Sequence, residues 1–238
     1  MHLIIDQGNT KTKLAVFEQD KIIHSESLAT LNDEIIASLG AKYTIKKGII
    51  ASVKTHVDQN LLKKHNIITL THSTPLPLQL NYKTPQTLGV DRIAAAVGAT
   101  TIYKNSPLLV IDIGTCVTFD FINLKNEYMG GAISLGFEMR FKALHHFTDK
   151  LPLVNFDKKI LKLTGDTTEA SIISGVYFGM KKEIEGLINT YLTQYQNLKI
   201  VVTGGHLNLF DLEPKNRIFA NDFLVLKGLN EILNYNAK

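Results

Sequence analysis

Two short segments carry the residue types that can do chemistry. The first is Asp6-Gln7-Gly8-Asn9-Thr10-Lys11-Thr12-Lys13, and the second is Asp112-Ile113-Gly114-Thr115 with Thr118 behind it. In each, an aspartate closes an apolar strand-like run and a glycine opens a tight turn. Uncovered backbone N–H groups in such a turn form a concavity for an anion such as phosphate. The aspartate beside it can hold a divalent cation directly or through water. Asn9, Thr10 and Lys13 add donors to the first loop. One copy alone would read better as an ordinary hairpin. Two copies, separated by nearly half the chain, point instead to duplicated α/β domains whose turns face one cleft.

The other glycine-rich turns are Gly130-Gly131 and Thr203-Gly204-Gly205, the latter directly after the apolar run Lys199 to Val202. Paired glycines let a nucleotide approach the backbone closely, although strand–Gly-Gly turns are common. No G-x-x-x-x-G-K-[ST] segment occurs, so a Walker-type loop is excluded, and no G-x-G-x-x-G follows the first strand, so a dinucleotide fold is not expected. Asp91 opens an apolar stretch ending near Tyr103, and by itself reads as a helix N-cap beside a surface arginine, Arg92. His145 and His146 are adjacent, and would point about 100° apart on a helix, which argues against a shared metal.

The elements that must place these residues follow from the pattern. His2 to Ile5, Thr12 to Phe17 and Lys21 to His24 read as a three-strand meander. A helix is expected over Leu31 to Leu39 with Gly40 as its C-cap, and another over Asp58 to His65. Buried parallel strands are expected at 48–51 and 67–70. The segment 104–107 breaks the pattern and divides the chain into domains 1–106 and 107–238. Beyond it come strands from Leu108 and from Val117 to Asn123, helices over Phe137 to Phe147 and Thr168 to Tyr191, and the strand from Lys199. The 137–147 segment is apolar on more than one face, which requires burial in the core or against a partner.

The chain has 238 residues, 45% hydrophobic and 20% charged, so disorder and fibrous repeats are excluded. Cys116 is the single cysteine, so no internal disulfide forms; with no neighbouring histidine it reads as packing. Nothing resembles a signal peptide or a membrane span, and a cytoplasmic protein with no membrane partner is expected. The net charge is +4, but the lysines are scattered, so nucleic acid is not an expected partner.

Taken in order, seven segments resemble the superfamily of sugar kinases, acetate kinase, actin and heat-shock ATPases, and within it type III pantothenate kinase. They are Asp6-x-Gly8-Asn9-Thr10-x-x-Lys13, Gly89-Val90-Asp91-Arg92, Asp112-x-Gly114-Thr115-x-x-Thr118, Gly130-Gly131-x-Ile133-x-x-Gly136, Ala143-Leu144 with Leu151-Pro152, Thr167-x-x-Ala170 and Thr203-Gly204-Gly205. The resemblance implies two duplicated actin-like, ribonuclease H-like domains with an interdomain nucleotide cleft and dimerisation helices in the second. It implies ATP-dependent phosphorylation of pantothenate to 4′-phosphopantothenate, the first step of coenzyme A biosynthesis. Asp91 would be the general base, and Tyr82, Gly89, Val90, Asp91, Arg92 and Thr167 would contact pantothenate, Thr167 from the partner subunit of a homodimer. ATP would lie on Asp6, Gln7, Gly8, Asn9, Thr10, Lys11, Thr12, Lys13 and Thr115. Asp112 would hold a monovalent cation, potassium or ammonium, and Asp6 would hold the magnesium of MgATP through water.

Three positions depart from the family pattern: Gln7 for an apolar residue, Cys116 for alanine and Leu135 for the proline before Gly136. Two other readings stand beside this one. The same fold could phosphorylate another small alcohol or acid, or the chain could be a catalytically idle regulator, although Asp6, Asp91 and Asp112 are all present.

Overall fold

The structure is a computed structural model describing residues 1–237, the side chain of residue 216 excepted. The chain forms two compact units. The first comprises Met1–Asn105, Ile122–Gly130 and Phe223 onward; the second comprises Ser106–Phe121 and Gly131–Asp222. Among the described residues, no helix is long and apolar enough to cross a membrane.

In the first unit, β1 (His2–Gln7), β2 (Thr12–Glu18) and β3 (Lys21–Leu28) form the expected antiparallel meander. β4 (Lys47–Ser52) and β5 (Ile67–Thr69) extend it in parallel, giving the order β3-β2-β1-β4-β5. Leu3, Ile4 and Ile5 are all fully buried, so β1 is covered on both faces. Leu3, Ile5, Leu14, Val16 and Ile50 share one face with Ile36 and Leu39 of α1 (Asp33–Lys42) and Leu62 of α2 (Gln59–Lys64). By strand alternation Ile4, Ala15 and Ile49 turn to the other face, where α3 (Val90–Ile102) and α6 (Leu224–Tyr235) pack.

α1 differs from the expectation at its end. It runs through Gly40 to Lys42, capped by Tyr43, whose N–H reaches the Leu39 carbonyl at 2.8 Å. Gly40 is exposed and its would-be Cβ meets nothing, so the helix has no steric reason to stop there.

α3 and α6 approach through small residues. A Cβ at Gly98 would lie 3.1 Å from the Gly228 nitrogen, and one at Gly228 would lie 2.7 Å from the Ala94 carbonyl carbon. This contact returns the C-terminal helix to the first unit. The 122–130 segment returns too, through β6 (Gln79–Leu80), whose Leu80 pairs with Tyr128 of β9 (Glu127–Leu135). The unit assignment therefore differs from the linear division at 106 in these two segments.

The second sheet has the order β11-β10-β7-β8-β9-β6. β7 (Leu108–Ile113) leads into β8 (Cys116–Ile122), and β10 (Lys199–Thr203) runs parallel to β7, as β4 does to β1. β11 is Ile218–Ala220. α4 (Phe137–His146) and the 27-residue α5 (Thr168–Gln194) close the second unit's core, with Phe141, Ile173, Met180 and Ile184 against Leu109, Ile111, Phe119 and Val202. The apolar residues of the 137–147 segment mostly serve this core: Phe137 and Phe141 are buried within the chain, and Phe147 alone stays 80% exposed.

Candidate active site

The first turn has the geometry its sequence requires. Asp6 pairs with Lys13 and Gln7 with Thr12 across the β1–β2 ladder, leaving residues 8–11 as the loop. The Gly8 N–H donates to the Lys11 carbonyl at 3.1 Å, while Asn9, Thr10 and Lys11 are exposed. Strand alternation sends Gln7 to the face opposite Asp6. Its Oε1 accepts from Ser52 Oγ at 2.8 Å, and its carbonyl accepts from the Val53 N–H at 3.2 Å. The departure at Gln7 thus ties the ends of β1 and β4 together. Thr12 is fully buried, and its Oγ1 has no hydrogen-bond partner among the described residues.

Further along the same unit, Gly89, not Asp91, is the N-cap of α3. Asp91 lies in the first helical turn, where the N-terminal end of the helix dipole favours a carboxylate. Its Oδ1 accepts from the Arg92 N–H at 2.8 Å, and a Cβ at Gly89 would lie 2.5 Å from it. Oδ2 of Asp91 has no hydrogen-bond partner among the described residues. Arg92 is no surface arginine; it is only 8% exposed. Tyr82 is half-buried, set edge-on to Tyr128 with ring centroids 5.9 Å apart, and lines Gly130.

In the second unit, glycines wall the Asp112–Thr115 turn. Gly114 N–H donates to the Cys116 carbonyl at 2.9 Å. Gly204 adopts φ +106°, a conformation that suits glycine, and its would-be Cβ would sit 2.5 Å from Asp112 Oδ1. Thr203 stands beside Asp112 in the β10–β7 pairing, and the His206 N–H donates to the Ile113 carbonyl at 3.0 Å. Gly136 presses on the turn from α4: a Cβ there would overlap the Thr115 carbonyl and lie 2.5 Å from that of Gly114. Cys116 Sγ is 3.9 Å from Met139 Sδ, a packing contact. Thr167 caps α5, its Oγ1 accepting from the Ala170 N–H at 3.1 Å.

Among the described residues, no group of three or more His, Cys, Asp or Glu side chains could enclose a metal ion. Asp6 and Asp112 belong to different units. Hard oxygen donors of this kind suit magnesium shared with phosphate, or a monovalent cation. Sequence reasoning did not reach Arg140 and Glu183, whose side chains meet at 2.6 Å from 43 positions apart. No spacing rule links residues that far apart.

The type III pantothenate kinase family matches residues 2–190. A type III pantothenate kinase of Phocaeicola vulgatus is 46% identical over 242 residues, covering all of both chains. Among solved structures, a Campylobacter jejuni protein provisionally assigned to the Baf family of transcriptional activators superposes with a TM-score of 0.61 at 22% identity, over 99% of this chain and 98% of that one. A glucokinase from an Antarctic psychrotroph does so with a TM-score of 0.53 at 13% identity, again over 99% and 98%. At these identities the structural likenesses speak for the fold alone, a two-domain actin-like α/β architecture.

Proposed function

We propose the residue roles of this enzyme from one premise: the chain belongs to the type III pantothenate kinase family. It transfers the γ-phosphoryl group of ATP to pantothenate, opening coenzyme A biosynthesis. Asp91 is the general base. One observation carries that role: its Oδ1 is anchored on the Arg92 N–H while Oδ2 is left to accept a proton. The pantothenate hydroxyl gives its proton to Oδ2 as its oxygen bonds to the γ-phosphorus. The bond from that phosphorus to the β–γ bridging oxygen breaks, and ADP leaves. Gly89, Val90, Arg92 and Tyr82 orient the acceptor, with the Arg92 guanidinium suited to the pantothenate carboxylate.

The 6–13 loop and Thr115 receive the ATP phosphates through backbone N–H groups, hydroxyls and lysines. Asp6 fits magnesium through water, and Asp112, with two glycines beside its Oδ1, fits potassium or ammonium. These cations supply the positive charge that a site lacking a Walker lysine needs. The enzyme acts in the cytoplasm as a homodimer, with Thr167 serving the partner's site. Ile133, Leu135, Phe147, Leu153 and Leu163 of the second unit are exposed apolar side chains that a second copy would cover. Sedimentation of the wild type as a monomer would remove that assembly.

The testing experiment is ADP release from MgATP with pantothenate, in matched potassium and sodium buffers. Asp91→Asn should lower turnover roughly 10²–10⁴-fold while retaining nucleotide binding. Near-normal turnover by that variant refutes the base. Turnover indifferent to pantothenate points to a different acceptor.

A further inference from the structure

The Arg140–Glu183 pair has no role in the chemistry above, yet it is joined to the second phosphate turn by an unbroken set of contacts. The Arg140 side chain is only 18% exposed and makes three hydrogen bonds. Nε donates to the Leu135 carbonyl at 2.9 Å, and Nη2 donates to Ser134 Oγ at 3.3 Å and to Glu183 Oε2 at 2.6 Å. One guanidinium therefore joins the end of β9, the first turns of α4 and the middle of α5. Gly136 follows the pinned carbonyl and lies against the Gly114 and Thr115 carbonyls with no room for a methyl group. Any movement at 134–136 is thus transmitted to the Thr115 backbone, since interiors transmit strain and do not absorb it.

Residue 135, whose carbonyl Arg140 pins, is leucine and not proline. Leucine leaves φ free at that position, whereas proline would fix it near −65°. Arg140 supplies by hydrogen bonding the constraint that the ring would supply covalently. We propose that Arg140, oriented by Glu183, is a positioning residue for the Gly114–Thr115 turn and through it for the ATP phosphates. The inference rests on the reading of Thr115 as a phosphate contact.

The test uses the full chain with Arg140→Ala, Leu135→Pro and the double variant, each checked for folding by thermal unfolding. Steady-state kinetics in MgATP and pantothenate are measured alongside calorimetric affinity for MgADP. Arg140→Ala should lower kcat/KM for ATP by roughly 10- to 100-fold, the scale expected for an ångström of misplacement, and leave KM for pantothenate unchanged. Leu135→Pro added to Arg140→Ala should recover most of that loss, which a merely structural role would not predict. A folded Arg140→Ala enzyme with wild-type kcat/KM overturns the proposal, as does a loss that Leu135→Pro leaves untouched. If Arg140→Ala does not fold, Glu183→Gln takes its place; a smaller loss in the same direction supports the proposal and wild-type kinetics overturn it. Should the wild type prove indifferent to pantothenate, the functional reading fails, while MgADP affinity in the same variants still decides the role of Arg140.

Discussion

Gly228→Ala tests what holds the proposed base in place. The new methyl group would lie 2.7 Å from the Ala94 carbonyl carbon and 2.8 Å from the Gly98 nitrogen, where ordinary contact begins near 3.4 Å. The Ala94 oxygen lies closer still. Both obstacles are backbone, so no rotamer change relieves them and α3 must part from α6. Alanine in a helix interior gains about 0.5–1 kcal/mol over glycine, but overpacking costs about 1–3 kcal/mol. The clash falls at the severe end of that range, so a net loss of about 2–2.5 kcal/mol is expected. For a chain of this size that lowers Tm by roughly 4–10 °C. Asp91 sits three residues before the clash, about 4.5 Å along the axis of α3. Displacing it by about an ångström should lower kcat up to roughly 10²-fold. Thermal unfolding and steady-state kinetics on one preparation measure both effects. Ala94→Gly should not rescue, because the obstruction is carbonyl and not side chain. A Gly228→Ala enzyme with wild-type Tm refutes the reasoning.

Two further outcomes are expected. Thr12→Val replaces a fully buried hydroxyl that has no partner among the described residues with an apolar group of the same shape, so it should stabilise by about 1 kcal/mol and raise Tm by roughly 2–4 °C. A rise in KM for ATP in that variant would show that the nucleotide uses this hydroxyl. His2 is the second: burial holds its ring below the ordinary histidine range of 6.5, opposed by a 3.1 Å hydrogen bond to Asn230 Oδ1. The fold resists a proton that the unfolded chain accepts. Its contribution is therefore complete above about pH 6.5 and declines as pH falls through the lowered folded value. His2→Gln should flatten the Tm profile between about pH 7.5 and about pH 5.5, and an unchanged profile would remove His2 as the cause.

The parts of the fold that were legible in sequence are those set by local rules. The strand–Asp–x–Gly–turn–strand repeat placed both hairpins, and the helix expected over 168–191 is α5, where Ile184, Leu187 and Ile188 form an apolar stripe. Elements whose identity depends on a distant partner were not read. β6 has two residues and exists as a strand because Leu80 pairs with Tyr128. α6 is a different case. Leu226, Leu229, Ile232 and Leu233 form a helical stripe that obeys the same local rule as α5, yet this helix is missing from the sequence-based expectations.

The same division holds within the candidate site. In the two turns, aspartate, glycine and threonine announce themselves by type and spacing, so Asp6, Asp112 and Thr115 could be named from the residues alone, whereas Asp91 reads as a helix cap until the family resemblance is added. What fixes them cannot be. Gly98 and Gly228, the contact that seats α3, lie 130 positions apart and show no motif. Arg92 reads as a surface residue until α3 is seen to be buried from Arg92 to Ala99. Gly136 looks like a turn former, yet its role is to let α4 touch the Thr115 carbonyl. Catalytic groups are selected by chemistry, which residue identity records. Their supports are selected by shape, which appears only when distant segments meet. Variants at the supporting glycines should therefore alter rate and stability together, whereas Asp91→Asn should act on rate, with a stability cost of no more than the roughly 0.3–1 kcal/mol that the helix dipole gives its carboxylate.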